Sequence, residues 1–398
     1  MPIAEITRSE YKDSVHQKAA SRKTPLNALF ELTYKCNLHC VMCYNAPQDR
    51  KELTTEQVFF ILDELIKEGC LYLGLTGGEI MIRKDIFEIL DYAVRKGFLL
   101  TLKSNATLLT SERIDRLQAL GIDRMEVSFH GADVETFEGI TQVKGSFERC
   151  KEVVQDLKRR NFNVKLNMVV MKTNADQVTA MRQFARSIGV SFSYSTEVTP
   201  RTNRDQTPVQ YRISPKIEKA LNTKQVPEDP KNRLAFFQQR LKTPVPRKQL
   251  FTCGVGKTQL VIGPYGDVRL CLDIEEPSYS VFEIGLKEAW EKLVDFVERK
   301  EAQKGRWECP EALRPFCTSW CPAKGFLEAG SLYGCGDHCQ EQARLNKQEY
   351  EKLLETSRRE EWVLPEETEQ RKAEGCDFER EEVGYDQRKI YQAPGLPG

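Results

Sequence analysis

The chain has 398 residues, enough for two domains or for one large domain with appendages. Its 59 Lys and Arg residues balance 59 Asp and Glu residues, so the charge predicts neither nucleic-acid binding nor a polybasic membrane patch. The sequence has no run of 18 apolar residues, and residues 1–25 lack the apolar stretch of a secretory signal. Its 13 cysteines are clustered, which favours metal ligation in a reducing cytoplasm over a disulfide scaffold.

Residues 1–25 are polar and weakly periodic, and we expect them to form an arm laid over the first domain. From residue 26 onward, strand-like and helix-like segments alternate. Strands are predicted at 26–33, 71–75, 98–103, 124–129, 164–170 and 191–196, and helices near 54–68, 85–96, 111–120, 146–160 and 174–188. Residues suited to N-caps (Thr54, Thr110 or Ser111, and Asn174) and to left-handed C-termini (Gly69, Gly97, Gly121, Gly189) punctuate them. The pattern predicts an α/β protein with a parallel sheet, either doubly wound or closed toward a barrel.

A cysteine motif directly follows the first predicted strand. Cys36, Cys40 and Cys43 have the spacing C-x3-C-x2-C. Three thiolates on one short loop can bind three irons of a [4Fe–4S] cluster and leave the fourth iron open to a small molecule. From spacing alone the alternative is a structural zinc site completed by His39, because zinc takes four nitrogen or sulfur ligands.

A second motif, Gly77-Gly78-Glu79, follows the second predicted strand. Residues without a Cβ let the backbone approach a ligand closely, and the carboxylate suits a charge-assisted bond to an ammonium group. The alternative interpretation is a plain turn.

Together, C-x3-C-x2-C after one strand and G-G-E after the next resemble the radical S-adenosylmethionine (SAM) enzymes, over about residues 26–200. The resemblance implies a partial (β/α)6 barrel at 26–199 and a cluster whose open iron is chelated by SAM. An electron from that cluster would cleave SAM to methionine and a 5′-deoxyadenosyl radical, which removes a hydrogen atom from the substrate. It also implies that Cys36, Cys40 and Cys43 bind the cluster. The residues implied to contact SAM are Met42, Gly77, Gly78, Glu79, Ser104, Asn105, Ser128 and Asn167. Relatives usually have an aromatic residue where Met42 stands and a proline where Ile80 stands.

Residues 200–250 are proline-rich and polar, with one helical segment near 231–241, and we expect a segment that bridges two domains. Residues 251–340 are predicted to form a small β-hairpin/α domain whose hairpin turns at 264–266. Seven cysteines lie in this domain: Cys253, Cys271, Cys309, Cys317, Cys321, Cys335 and Cys339. Without paired histidines they favour iron–sulfur clusters, with two zinc sites as the alternative.

This cysteine-rich region resembles the SPASM extension of radical SAM peptide-modifying enzymes. The matching features are Gly266 followed five residues later by Cys271, and Cys317 and Cys321 followed by Pro-Ala. Ala312 stands where the family has a further cysteine, so the division of ligands stays open. The resemblance implies one or two auxiliary [4Fe–4S] clusters, with Asp337, His338 or Cys376 as further candidate ligands. Residues 341–398 are charged and predicted to be a helix followed by a tail, either solvated or in contact with a partner.

The resemblance predicts a radical SAM enzyme that modifies a ribosomally made peptide or protein. It implies an electron donor such as flavodoxin or ferredoxin. Because residues 1–25 are too few to fold into a leader-recognition domain, a peptide's leader is expected to be bound by a separate small protein or by residues 200–250 and 340–398. One alternative is oxidation or decarboxylation of a small molecule such as a tetrapyrrole precursor. Another is a non-catalytic iron–sulfur redox or sensor protein. No residue in the sequence is marked as the catalytic proton acceptor.

Overall fold

The structure is a computed structural model, and it describes residues 8–46, 49–221, 229–242, 250–303, 308–318, 321–360 and 362. One sheet runs through these residues. Its strands are β1 (Asn27–Thr33), β2 (Tyr72–Gly77), β3 (Leu99–Ser104), β4 (Arg124–Ser128), β5 (Asn163–Val169), β6 (Ser191–Ser195), β7 (Gln259–Ile262), β8 (Asp267–Cys271) and β9 (Ile274–Ser280). They lie in the order β6-β5-β4-β3-β2-β1-β7-β8-β9.

The helices of the described residues cover one side of the sheet and build the C-terminal region. They are α1 (Arg8–Arg22), α2 (Thr55–Lys67), α3 (Ile86–Arg95), α4 (Ser111–Ala119), α5 (Val134–Thr141), α6 (Ser146–Arg159), α7 (Val178–Ile188), α8 (Pro215–Leu221), α9 (Pro230–Lys242), α10 (Val281–Ala302), α11 (Pro322–Ala329) and α12 (Asp337–Arg359). In this part of the chain no helix is long and apolar enough to cross a membrane.

Strands β1 to β6 pair in parallel with their sequence neighbours and form the partial barrel. The predicted strands and helices of this part are present, within a few residues of their predicted bounds. Helix α5 was not predicted. Thr54 caps α2 as expected, since its hydroxyl accepts from the Gln57 amide and the Gln57 side chain accepts in return. Because helices shield one face, each strand alternates core residues with residues that face the barrel interior.

Asn174 does not cap α7 as the sequence suggested. It is fully buried, and its side-chain amide donates to the carbonyls of His130 (2.7 Å) and Val169 (3.0 Å). Helix α7 begins four residues later, at Val178. Asn174 therefore joins the carboxyl ends of β4 and β5, a tertiary contact that competes with helix capping.

The cysteine-rich hairpin, β7 and β8, continues the barrel sheet. Strand β7 pairs in parallel with β1, and β8 and β9 follow it antiparallel. The hairpin turns at residues 264–266 as predicted, with Gly266 at φ 84°. The first cysteine motif and the hairpin thus lie on neighbouring strands of one sheet.

The N-terminal segment folds as a helix, α1, where the sequence predicted only an arm. Trp290 fixes the end of this segment, since its indole N–H donates to the Lys23 carbonyl, and His16 within the helix stacks on Tyr72.

A second, smaller apolar cluster joins α9 to α12 through Phe237, Phe316 and Ala343, and it includes Cys309.

Candidate functional site

The cysteine loop, residues 36–43, leaves β1 at its carboxyl end. Its backbone docks on the end of α5, since the amides of His39 and Val41 donate to the carbonyls of Thr141 and Ile140, each at 3.0 Å. The Cys43 amide donates to the Cys40 carbonyl at 3.0 Å and closes a turn. These backbone contacts fix the position of the loop against α5.

The three thiols of this loop are partly buried and close to one another. Burial raises the pKa of each, that of Cys40 to about 12, and proximity to the other thiols adds to the rise for Cys36 and Cys40. Three thiolates would therefore repel one another here unless a cation compensates them. Two donors already point at Cys36 Sγ, the Leu38 amide at 3.4 Å and the Asn105 side-chain amide at 3.7 Å. Buried thiols with N–H donors at sulfur fit an iron–sulfur cluster.

The zinc alternative finds no support in this geometry. The His39 side chain is exposed, whereas the thiols are partly buried. Among the described residues, no three His, Cys, Asp or Glu side chains converge on a point that one metal ion could occupy. Four sulfurs around a single zinc ion lie only about 3.8 Å apart, whereas each cysteine of a cluster binds a different iron.

Gly77 and Gly78 lie against the chain that leads into the cysteine loop. A Cβ on Gly77 would stand 2.1 Å from the Thr33 carbonyl oxygen, and one on Gly78 would stand 2.3 Å from that of Lys35. The Gly78 and Glu79 amides donate to these two carbonyls at 2.7 and 2.9 Å. Glycine is required at both positions because the backbone of residues 33–35 lies against them, leaving no room for a Cβ. This contact between distant segments could not be predicted from the sequence.

Glu79 turns its carboxylate inward. It is completely buried and accepts from the Met81 amide (3.0 Å), the Ser104 hydroxyl (2.9 and 3.0 Å) and the Asn105 amide (2.7 Å). Burial raises the pKa of this carboxyl group, and the hydrogen bonds oppose the rise. The predicted residues Glu79, Ser104 and Asn105 are thus brought together, and Asn105 connects them to Cys36.

The other predicted SAM contacts are placed differently. Met42 packs against an apolar cluster that contains Ile140 and Met171. Ser128 ends β4, and its hydroxyl has no hydrogen-bond partner among the described residues. Asn167 is engaged within the barrel, where it donates to Glu126 (3.1 Å) and accepts from Ser193 (2.7 Å).

Sequence reasoning missed a charged layer inside the barrel. Glu126 on β4 forms ion pairs with Lys103 on β3 and with Lys165 on β5, the latter at 3.8 Å. These pairs lower the pKa of Glu126 against the opposing effect of burial, so the carboxylate stays charged. The only sequence signal was the alternation of charged and apolar residues along each strand.

Three of the cysteines predicted as auxiliary ligands gather at the end of the hairpin. Burial raises the pKa of Cys271 to about 12, and the nearby Asp273, Cys321 and Cys253 raise it further. Cys271 packs against the main core of the molecule. Cys253, Cys271 and Cys321 therefore form a first group.

The remaining four auxiliary cysteines gather around the smaller apolar cluster. Cys309 is buried there and Cys335 packs against it. The hydrogen bond from Cys335 lowers the pKa of Cys309 to about 7, and Cys335 also interacts with Cys339 and Cys317. These residues form a second group, Cys309, Cys317, Cys335 and Cys339.

The structure describes two of the three other candidate ligands. His338 is paired through Nε2 with the buried Glu218 at 2.5 Å, so that nitrogen is already engaged. Asp337 begins α12. Cys376 and most of the predicted tail lie outside the described residues.

Residues 30–185 match the model of the radical SAM superfamily. The chain is 35% identical over 173 residues to the AdoMet-dependent heme synthase of Methanosarcina barkeri, a match that covers 43% of this chain and 50% of the relative. It is 26% identical over 346 residues to the mycofactocin maturase MftC of Mycolicibacterium smegmatis, which covers 82% of this chain and 86% of the relative. The chain thus spans half the length of the heme synthase and most of the maturase.

The fold is similar to that of SuiB from Streptococcus suis, solved bound to the precursor peptide SuiA. The TM-score is 0.61 with 16% identity, over 86% of this chain and 83% of that chain. At this identity the similarity concerns the fold, and it includes the cysteine-rich C-terminal region as well as the barrel.

Proposed function

We propose, from the premise that residues 30–185 form a radical SAM domain, that this chain cleaves SAM reductively and removes a hydrogen atom from a peptide substrate. The observation that carries the proposal is that residues 33–35, which lead into the cysteine loop, are held against residues 77–79, and that Cys36 of the loop accepts from Asn105. Cys36, Cys40 and Cys43 would bind three irons of a [4Fe–4S] cluster. Once bound, this cluster supplies the electron that cleaves SAM to methionine and a 5′-deoxyadenosyl radical.

The chain's own residues hold this site in shape. The buried Glu79 carboxylate joins the carboxyl ends of β2 and β3. It accepts from the backbone amide of Asn105, whose side-chain amide donates to Cys36 Sγ. Ser128, without a partner among the described residues, is free to bind a hydroxyl or carboxylate of SAM. The role of Glu79 is therefore to position backbone groups and Asn105, since its own oxygens are occupied.

Two auxiliary clusters are proposed from the two groups of cysteines. Cys309, Cys317, Cys335 and Cys339 supply four thiolates, a full set for one [4Fe–4S] cluster. Cys253, Cys271 and Cys321 supply three, which leaves one iron of the other cluster without a cysteine ligand. The absence of a cysteine at Ala312 is thereby offset within the group of four.

A peptide is the proposed substrate class because the maturase relative aligns over 82% of this chain, barrel and cysteine-rich region together. A tetrapyrrole-type small molecule is the second candidate. It is favoured by the 35% identity to a heme synthase, although that match covers 43% of the chain.

The proposed partners follow from radical SAM chemistry on a peptide. The electron donor is a small protein such as flavodoxin or ferredoxin, and the compartment is the cytoplasm, where thiols stay reduced. A leader peptide would be recognised by a separate small protein or by residues 200–250 and 340–398. Strand β6 lies at an edge of the sheet and offers a position for an extended peptide to pair.

The first test is anaerobic formation of 5′-deoxyadenosine from SAM under a strong reductant. The wild-type chain should form it, and the Cys36→Ala/Cys40→Ala/Cys43→Ala variant should not, while it keeps the auxiliary irons. Iron should number about twelve per wild-type chain and about eight in the variant. SAM cleavage by the triple variant would refute the assignment.

The second test addresses the substrate. Peptides encoded beside the gene are incubated with the enzyme, with and without any neighbouring small protein, and analysed by mass spectrometry. Loss of two hydrogens or of an excised fragment supports the peptide. If no peptide changes mass while a carboxylated small molecule is consumed with SAM, the second candidate is correct.

A further inference from the structure

A buried ion pair connects the barrel to the cysteine-rich hairpin. Glu31 on β1 and Arg269 on β8 are in direct contact, and their side chains are 1% and 3% exposed. Arg269 also pairs with Asp267 at 2.8 Å. Removing two charges from water is costly, so a pair this deeply buried is stable only when further hydrogen bonds satisfy it.

Those further bonds come from the two ends of the cysteine loop. Tyr34, two residues before Cys36, donates its hydroxyl to Glu31 at 3.1 Å and accepts from Arg269 at 3.1 Å. Tyr44, directly after Cys43, donates to the other oxygen of Glu31 at 2.9 Å. One carboxylate thus anchors the loop both where it begins and where it ends.

The hairpin turn adds contacts to the same region. The ring of Tyr265 packs edge-on against that of Tyr34, with centroids 5.6 Å apart. The Pro264 carbonyl accepts from the Leu53 amide at 2.9 Å. Nearby, Glu52 accepts from the Tyr34 amide at 2.8 Å. The position of the loop therefore depends on a segment more than 200 residues away in sequence.

We propose that Glu31 and Arg269 are positioning residues for the SAM-binding cluster. Through Tyr34 and Tyr44 they fix both ends of the cysteine loop relative to the hairpin that ends at Cys271. The loop then presents its open iron to SAM only when the hairpin is in place, so the auxiliary region controls the first cluster. This inference rests on the proposed function, because it requires that the loop bind a SAM-chelating cluster.

The test uses the full chain, reconstituted anaerobically, with two hydroxyl deletions, Tyr34→Phe and Tyr44→Phe. The matched control is Tyr92→Phe, which removes a hydroxyl that donates to the Asp63 carboxylate at 3.0 Å, in a packing contact between α2 and α3. The readout is the electron paramagnetic resonance spectrum of the reduced protein with and without SAM. Subtracting the spectrum of the triple Cys→Ala variant isolates the first cluster from the auxiliary ones.

We expect the Tyr34→Phe/Tyr44→Phe double variant to lower the SAM-dependent spectral change and the 5′-deoxyadenosine rate at least about tenfold, because it removes three hydrogen bonds to charged groups and one such bond already has that scale. The auxiliary signals should match those of the Tyr92→Phe control, whereas the melting temperature should fall further than in that control, because the lost hydroxyls satisfy a buried ion pair. Because Arg269→Met alone leaves Glu31 buried without its ion pair, the pair is tested as Glu31→Gln/Arg269→Met, which should show the same selective loss.

Three outcomes overturn the inference. The first is a double tyrosine variant that responds to SAM like the wild type, and the second is a loss of iron from all clusters alike, which marks a general structural role. If the wild type itself shows no SAM-responsive cluster, the proposed function fails and this inference fails with it. That last result is separate from the first two, because it is read from the wild type alone.

Discussion

Replacing Gly78 by alanine should damage the cysteine loop more than the small size of the change suggests. The added Cβ would lie 2.3 Å from the Lys35 carbonyl oxygen and 2.7 Å from that of Tyr34, inside the 3.0 Å that real Cβ atoms keep. Both atoms belong to the backbone just before Cys36, so no side chain can turn aside. Overpacking of this kind costs about 1–3 kcal/mol.

The same displacement would break two backbone hydrogen bonds. These join the amides of Gly78 and Glu79 to the carbonyls of Thr33 and Lys35. Each contributes about 1 kcal/mol. The expected total loss in the free energy of unfolding is therefore about 3–5 kcal/mol.

The matched control is Gly139→Ala in α5, where an added Cβ meets nothing within 4 Å. This change should stabilise the chain by up to about 1 kcal/mol, because alanine favours a helix. Denaturant unfolding followed by circular dichroism measures both variants, and iron analysis after reconstitution should show about four irons lost in Gly78→Ala alone. A Gly78→Ala chain that unfolds with the wild type and keeps all its iron would contradict the close approach of residues 77–79 to residues 33–35.

Three further predictions concern buried groups and metal removal. Burial lowers the pKa of His130 from 6.5 to about 4, so between these pH values the unfolded chain binds a proton that the folded chain does not. Relative to the His130→Asn variant, the free energy of unfolding should therefore fall by about 3 kcal/mol from pH 6.5 to pH 4, measured by unfolding across that range. Glu79→Gln replaces an acceptor by a donor opposite the Asn105 amide and should lower the free energy of unfolding by about 1–3 kcal/mol, whereas an unchanged midpoint would mean that the carboxylate is not buried. Chelation of iron should speed proteolysis within residues 250–360 but not within residues 100–190, because ligand binding supplies folding energy to the cysteine-rich region; equal rates in both would refute this.

Local signals in the sequence were enough for the strands of the barrel, for its helices other than α5, and for the motifs. Alternating apolar residues, the Thr54 cap and glycines such as Gly69 depend on neighbours within one turn or one strand, so they could be predicted without tertiary structure. The cysteine spacing likewise predicted a three-thiolate loop, because all its ligands come from eight consecutive residues.

Contacts between distant segments could not be predicted in this way. Asn174 looked like a helix cap by its local sequence, yet it joins two strand ends because buried carbonyls there need a donor. Glu31 was not singled out in the first predicted strand, and its partner Arg269 lies 238 residues away in sequence. Only pairing of β7 with β1 brings them together and lets the hairpin reach the cysteine loop. The sequence by itself determined where the cysteines proposed to bind irons stand along the chain, and the tertiary structure decided which of them meet, since that depends on strand order and on the burial of charge.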